Sequence, residues 1–169
     1  MGQKVNPIGL RLGITRKSFS NWYSDDKFAE YLHEDQLVRS YIKKRLGHAG
    51  ISSVNIDRTA RKVIVAINAS RPGIVIGRKG EEVERIKAEL QHLTKKSVHI
   101  NVKEVKKPEI DAQLVADNIA KQVEGRVSYK RAIKKAISTA MRLGAEGIKV
   151  KIGGRLNGAE IARKEAYKE

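Results

Sequence analysis

Apolar residues recur every three or four positions from Phe28 to Ile42, with Phe28, Tyr31, Leu32, Leu37, Val38, Tyr41 and Ile42 in phase. That spacing gathers one apolar stripe and predicts a helix over 26–47, stopped at Gly47. The period then falls to two. ISSVNID (51–57) sets Ile51, Ser53 and Asn55 against Val54 and Ile56, and RKVIVAINA (61–69) places Val63, Val65 and Ile67 on one face. Both predict strands, and the polar RTA at 58–60 suits the turn between them. PGIVI (72–76) reads as a short apolar turn or helix, and GRKG (77–80) as a break. EEVERIKAELQHL (81–93) is a second helix with Val83, Ile86, Leu90 and Leu93 on one face. Its glutamates at 81, 82 and 84 suit the positive end of a helix dipole. SVHINVKEV (97–105) alternates Val98, Ile100 and Val102 with polar residues and closes the order helix, strand, strand, helix, helix, strand.

KKPEID (106–111) reads as a junction between domains, with Pro108 suited to begin the next helix. EIDAQLVADNIAKQVEG follows as a helix with Val115, Ile119 and Val123 on one face. SYKRAIKKAISTAMRLG is another helix, started by Ser128 as a cap and stopped by Gly144. GIKVKIGG alternates Ile148, Val150 and Ile152 with lysines and predicts a strand. AEIARKEAYKE is only weakly periodic, and no element is predicted from it. The fold class expected is α+β, in three stretches: an extension over 1–17, a first domain over 18–106, and a second, α/β domain over 107–169 with two helices and an incomplete sheet.

Charge narrows the function. Thirty-five Lys and Arg against 19 Asp and Glu give +16 at pH 7 and a pI near 10.1. Such an excess points to a polyanion, with nucleic acid ahead of an anionic membrane. Aromatics are only 5% of the chain, too few for a broad base-stacking platform. The absence of cysteine removes disulfides, thiolate zinc sites and cysteine nucleophiles, and fits a reducing compartment. No run approaches 18 apolar residues, so no membrane span is expected. The extension carries Lys4, Arg11, Arg16 and Lys17 with no acid before Asp25. It cannot bury much by itself and is expected to be extended or disordered until it meets RNA.

Two motifs carry chemistry. In GRKG, Gly77 and Gly80 let the backbone approach a sugar-phosphate chain. Arg78 and Lys79 place charge there, and the helix start offers free N–H groups. A lone GxxG is weak, but this one follows two strands, separates two helices and precedes a strand. That is the setting of a KH domain, and the element order resembles that of the type II KH fold. The second motif is the helix from Ser128. At 100° per residue, Lys130, Arg131, Lys134 and Lys135 share an arc of about 140°. From 121 to 155 there are ten Lys or Arg and two acids, too few acids for a salt-bridge lattice, so a phosphate-tracking surface is expected. The histidines at 33, 48, 92 and 99 lack metal-ligand spacing, and no phosphate-binding P-loop, dinucleotide fingerprint or nucleophile elbow occurs. No enzyme, cofactor, metal or small-molecule substrate is expected. A free-standing KH regulator of RNA remains open on these residues, as does a DNA-lesion nuclease or lyase, although the latter lacks a nucleophile or metal.

The blocks MGQKVNPIGLRLG, RPGIVIGRKG, KKPEIDAQLVADNIA and RAIKKAISTAMRLGAEGIKVKIGGRLNGAEIAR closely resemble the bacterial family of the third protein of the small ribosomal subunit, along the chain from Met1 to about Ala166. The resemblance implies a structural protein of the small-subunit head, in the cytoplasm, with a type II KH domain at 18–106. It implies binding of small-subunit rRNA, with Lys4, Arg11, Arg16 and Lys17 on an rRNA-binding arm, and contacts with ribosomal proteins ten and fourteen. It further implies a place at the tunnel through which mRNA enters, where the family helps unwind structured message. The basic positions linked to that role match Lys130, Arg131 and Lys134, with Lys135 beside them. The family continues past Glu169 into further strands, so the strand at 147–153 is expected to have few partners.

Overall fold

The computed structural model describes residues 3–59 and 62–169. The chain divides between Val105 and Lys106 into two compact units.

The first unit opens with a short helix, α1 (Pro7–Arg11), not with an extended or disordered arm. The local reason is Asn6-Pro7: the Asn6 side chain accepts from the Ile8 N–H at 2.9 Å, and Pro7 presets the first helical φ. No residue of α1 is buried. A two-residue strand, β1 (Ser20–Asn21), then pairs parallel with β2 (Ile51–Arg58), and α2 (Phe28–Arg45) lies between them in sequence. β3 (Lys62–Ala69) runs antiparallel to β2, and β4 (Ser97–Glu104) runs parallel to β3, giving the sheet order β1-β2-β3-β4. α3 (Pro72–Ile76) and α4 (Glu81–Thr94) lie between β3 and β4. The six elements from α2 to β4 follow the expected order. The turn expected at 58–60 lies partly outside the described residues; Arg58 belongs to β2, and the Thr59 N–H bonds the Lys62 carbonyl.

The core of this unit is built from Val38 and Ile42 of α2, Val63, Val65 and Ile67 of β3, Val75 of α3, Ile86 and Leu90 of α4, and Val98 of β4. Several phases differ from the sequence pattern. Phe28, Leu32 and Leu37 are about half exposed, and α2 instead buries Asp35 completely. Asp35 accepts from the Ser20 hydroxyl (2.7 Å), the Trp22 indole N–H (2.8 Å) and the Arg58 Nε (2.8 Å). Arg58 also meets Glu34, which binds Lys96 at 2.9 Å. The Tyr31 ring lies under both cations, and Trp22 packs on Phe28 and Tyr31. A buried carboxylate needs such a full set of donors, so this helix turns its polar network inward and leaves part of its apolar stripe in water. Ile51 joins the face of Val54 and Ile56 because a register shift between Ile51 and Ser53 inserts a residue. On α4, Leu93 is exposed and Thr94 takes the buried place, donating its hydroxyl to the Leu90 carbonyl.

In the second unit α5 spans Ala112–Glu124, and Pro108 does not begin it. Asp111 is the cap, its carboxylate accepting from the N–H groups of Gln113 (3.0 Å) and Leu114 (3.1 Å). α6 spans Tyr129–Arg142 and stops at Gly144 (φ 90°), where the Ala145 N–H closes back on the Ala140 carbonyl. Ser128 holds the cap position of α6, but its side chain caps nothing. β5 (Lys149–Gly154) is not alone: β6 (Arg163–Lys168) pairs antiparallel with it, from Lys149↔Lys168 to Gly154↔Arg163. Ile119, Tyr129, Ile133 and Ile137 form the core, with Val150, Ile152 and Tyr167 against them.

Candidate nucleic-acid interface

The turn between α3 and α4 has a backbone that its glycines permit. Gly77 sits at φ 72°, ψ −175°, a region closed to residues with a Cβ. A Cβ there would stand 2.7 Å from the Glu82 Cβ and 3.1 Å from the Glu82 nitrogen. Lys79 (φ 52°) and Gly80 (φ 84°) are both left-handed. Gly80 caps α4 without a side chain, and the Glu81 N–H closes back on the Arg78 carbonyl, so the turn is held by backbone alone with Arg78 and Lys79 on it. Both cations are exposed, and among the described residues neither joins an ion pair. The acids of the first turn are partly neutralised nearby: Glu82 meets Arg45 at 2.9 Å, and Glu84 meets Lys87 at 3.1 Å. Of the three apolar residues before the loop only Val75 is buried; Ile74 and Ile76 stay partly open beside the cations. The sequence pattern gave no sign of that exposure. The loop therefore combines a bare backbone, two cations and an apolar shoulder, a set able to take a phosphate with its attached base.

α6 separates its two faces cleanly. Ala132, Ile133, Ile137 and Ala140 are buried, while Lys130, Arg131, Lys134 and Lys135 are exposed. No acid lies in the first turn. Cations at the positive end of a helix each cost about 0.3–1 kcal/mol, so the arrangement does not serve helix stability. It concentrates positive potential where a phosphate would gain from both side chains and dipole. The first turn is tied to the sheet beneath it. The Tyr129 hydroxyl donates to Glu165 Oε1 (3.0 Å) and the Tyr167 hydroxyl to Oε2 (2.8 Å). The Tyr167 bond, the Tyr129 bond and the charges of Lys130 and Arg163 hold the Glu165 carboxyl below its usual range against an opposing effect of burial. The same bond, burial and the Glu165 charge push Tyr167 up to about 12. Burial first, then the Glu165 bond, raises Tyr129. Lys130 Nζ lies 6.0 Å from the Tyr129 ring centre. Neither Glu165 nor Tyr167 stood out in the sequence.

The extension places Lys4, Arg11, Arg16 and Lys17 in solvent. Arg11 donates to the Pro7 carbonyl at 2.9 Å, and Gly13 (φ 78°) turns the chain back so that Leu12 bridges Arg16. Val5, Leu10 and Ile14 are largely exposed alongside. Among the described residues no group of three or more metal-ligating side chains gathers, and no helix is long and apolar enough to cross a membrane.

Comparison with known proteins agrees with this layout. A family described as KH domain matches residues 37–110, and one described as Ribosomal protein S3, C-terminal domain matches residues 119–169. The small ribosomal subunit protein uS3 of Desulfatibacillum aliphaticivorans is 54% identical over 170 residues, covering 100% of this chain and 78% of the relative. Those of Porphyromonas gingivalis (52%, 69% of the relative) and Bacteroides thetaiotaomicron (54%, 70%) also match along the whole chain. With a KH domain followed by the S3 C-terminal domain, and more than half its residues shared along its full length, the chain belongs to the small ribosomal subunit protein uS3 family.

Proposed function

We propose that this protein is a structural, RNA-binding component of the small ribosomal subunit, in the cytoplasm. In this reading residues 1–17 and the KH domain at 18–106 hold rRNA, and the domain at 107–169 handles mRNA where it enters the subunit. Lys4, Arg11, Arg16 and Lys17 contact rRNA phosphates from the extension. Gly77, Arg78, Lys79 and Gly80 grip a sugar-phosphate backbone. Lys130, Arg131, Lys134 and Lys135 hold the backbone of incoming message while translocation supplies the work of unwinding. Ribosomal proteins ten and fourteen are its neighbours in the head.

The observation that carries the mRNA role is the cationic face on the first two turns of α6, which joins no ion pair among the described residues and is set there against the helix dipole. Replacing Lys130, Arg131 and Lys134 by Ala removes exposed side chains and leaves the fold within about 0.5 kcal/mol. The variant is expected to assemble into small subunits normally and to slow translation through a stable mRNA hairpin, with unstructured message unaffected. Loss of assembly would instead make the arc an rRNA contact.

A further inference from the structure

The register of β5 and β6 creates a surface absent from the linear pattern. Lys149 and Lys151 on β5 and Lys164 and Lys168 on β6 all project from the face turned away from α5 and α6, while Val150, Ile152, Glu165 and Tyr167 point inward. Lys149 stands directly opposite Lys168, and like charges so placed weaken a strand pair. Gly153 and Ala166 are the small residues between them, and the Lys164 stem lies across Gly153, 3.4 Å from where a Cβ would stand. Along β5, Lys149 and Lys151 stand about 7 Å apart, and along β6, Lys164 and Lys168 stand about 14 Å apart with Ala166 between them. Among the described residues none of the four joins an ion pair. Of the acids near in sequence, Glu165 is engaged inward by two tyrosines.

This face does not stop at the strand edge. Lys168 and Lys134 line one cleft of about 330 Å³ between β6 and α6, together with Met141, Tyr167 and the acid Glu169. The cationic arc of α6 therefore passes round β6 onto the outer sheet. We propose that the outer face of β5–β6 is a second phosphate-binding surface, which takes the continuation of a single-stranded RNA held on α6. It rests on the reading of α6 as an RNA-tracking helix. RNA is favoured over an anionic membrane because the face is cationic, with Gly153 and Ala166 between the lysines and no exposed large apolar side chain to enter a bilayer.

The test uses the full chain and a labelled oligouridine, with binding followed by fluorescence anisotropy across a salt series. In K149Q/K151Q/K164Q/K168Q the slope of log affinity against log salt is expected to fall by about 2–3, at roughly 0.7 per phosphate contact. Its melting temperature should be unchanged or raised, because a like-charged pair is removed. If that variant fails to fold, K151Q/K168Q is expected to lower the slope by about 1.4. A wild-type slope in the sheet variant, beside a fall of about 2 in K130A/R131A/K134A, overturns the proposal and leaves a solvated face. Unchanged slopes in both variants overturn the α6 reading itself. Loss of binding to phosphatidylserine vesicles with RNA binding intact overturns RNA as the partner.

Discussion

Substituting alanine at each glycine of GRKG separates two kinds of constraint that look identical in sequence. At Gly77 the backbone lies in a region that costs a Cβ-bearing residue about 1–3 kcal/mol. The added methyl would also stand 2.7 Å from the Glu82 Cβ, which forces the first turn of α4 to move. At Gly80 the conformation is ordinary left-handed helix, about 1–2 kcal/mol for alanine, and the methyl meets open space. Both substitutions recover about 0.4–1 kcal/mol by restricting the unfolded chain. The net expectation is a loss of roughly 2–4 kcal/mol for Gly77→Ala and about 1 kcal/mol or less for Gly80→Ala. Trp22, the one tryptophan, packs in the first unit against Phe28 and Tyr31, so its fluorescence in urea reports on that unit alone. Equal midpoints for the two variants, or a larger loss at Gly80, would refute the steric account of this loop.

Asp35→Ala leaves Arg58, whose side chain is only 5% exposed, without its main partner. Breaking a buried pair costs about 3–5 kcal/mol, and the Trp22 emission should shift red as its indole bond is lost; a midpoint change worth under 1 kcal/mol would contradict this. R78D/K79D is expected to fold normally, because Asp tolerates the left-handed position of Lys79, yet to lower the salt slope of RNA binding by at least about 1.4. Unchanged binding would show that the loop faces elsewhere. The Glu165 carboxyl titrates below its unfolded value, so its contribution is complete above the ordinary carboxylate range and is lost as pH falls through the lower folded value. Tyr167→Phe should weaken that acid-side dependence, measured by melting temperature against pH. In the wild type, Tyr167 should ionise near 12, above the ordinary tyrosine value of about 10, in an ultraviolet phenolate titration.

The element order was legible because periods of 3.6 and 2 alternate and glycines or prolines mark most of the changes. Faces were less legible where polar groups are buried by mutual satisfaction. Asp35 occupies the inward face of α2 because four donors from Ser20, Trp22 and Arg58 meet it, and no hydropathy pattern encodes partners so far away in the chain. β1 is two residues long, too short for any periodic signal. β6 escaped notice because its inward positions are Glu165 and Tyr167, a polar pair made acceptable by Tyr129. GRKG was readable from its glycines. The lysines of β5 were visible as charges, but their assembly into one face needed the register with β6.

The Ser20–Trp22 segment has a consequence for synthesis. Ser20 pairs with Ile56, and Asp35 meets its guanidinium partner only at Arg58. As the chain leaves its own ribosome from the N-terminus, α2 and the segment before it emerge first, already joined through Ser20, Trp22 and Asp35, but the strand that fixes both to the sheet does not exist until residue 58 is made. The amino-terminal basic stretch is thus fixed first to α2 and only later to the sheet, by its distant strand.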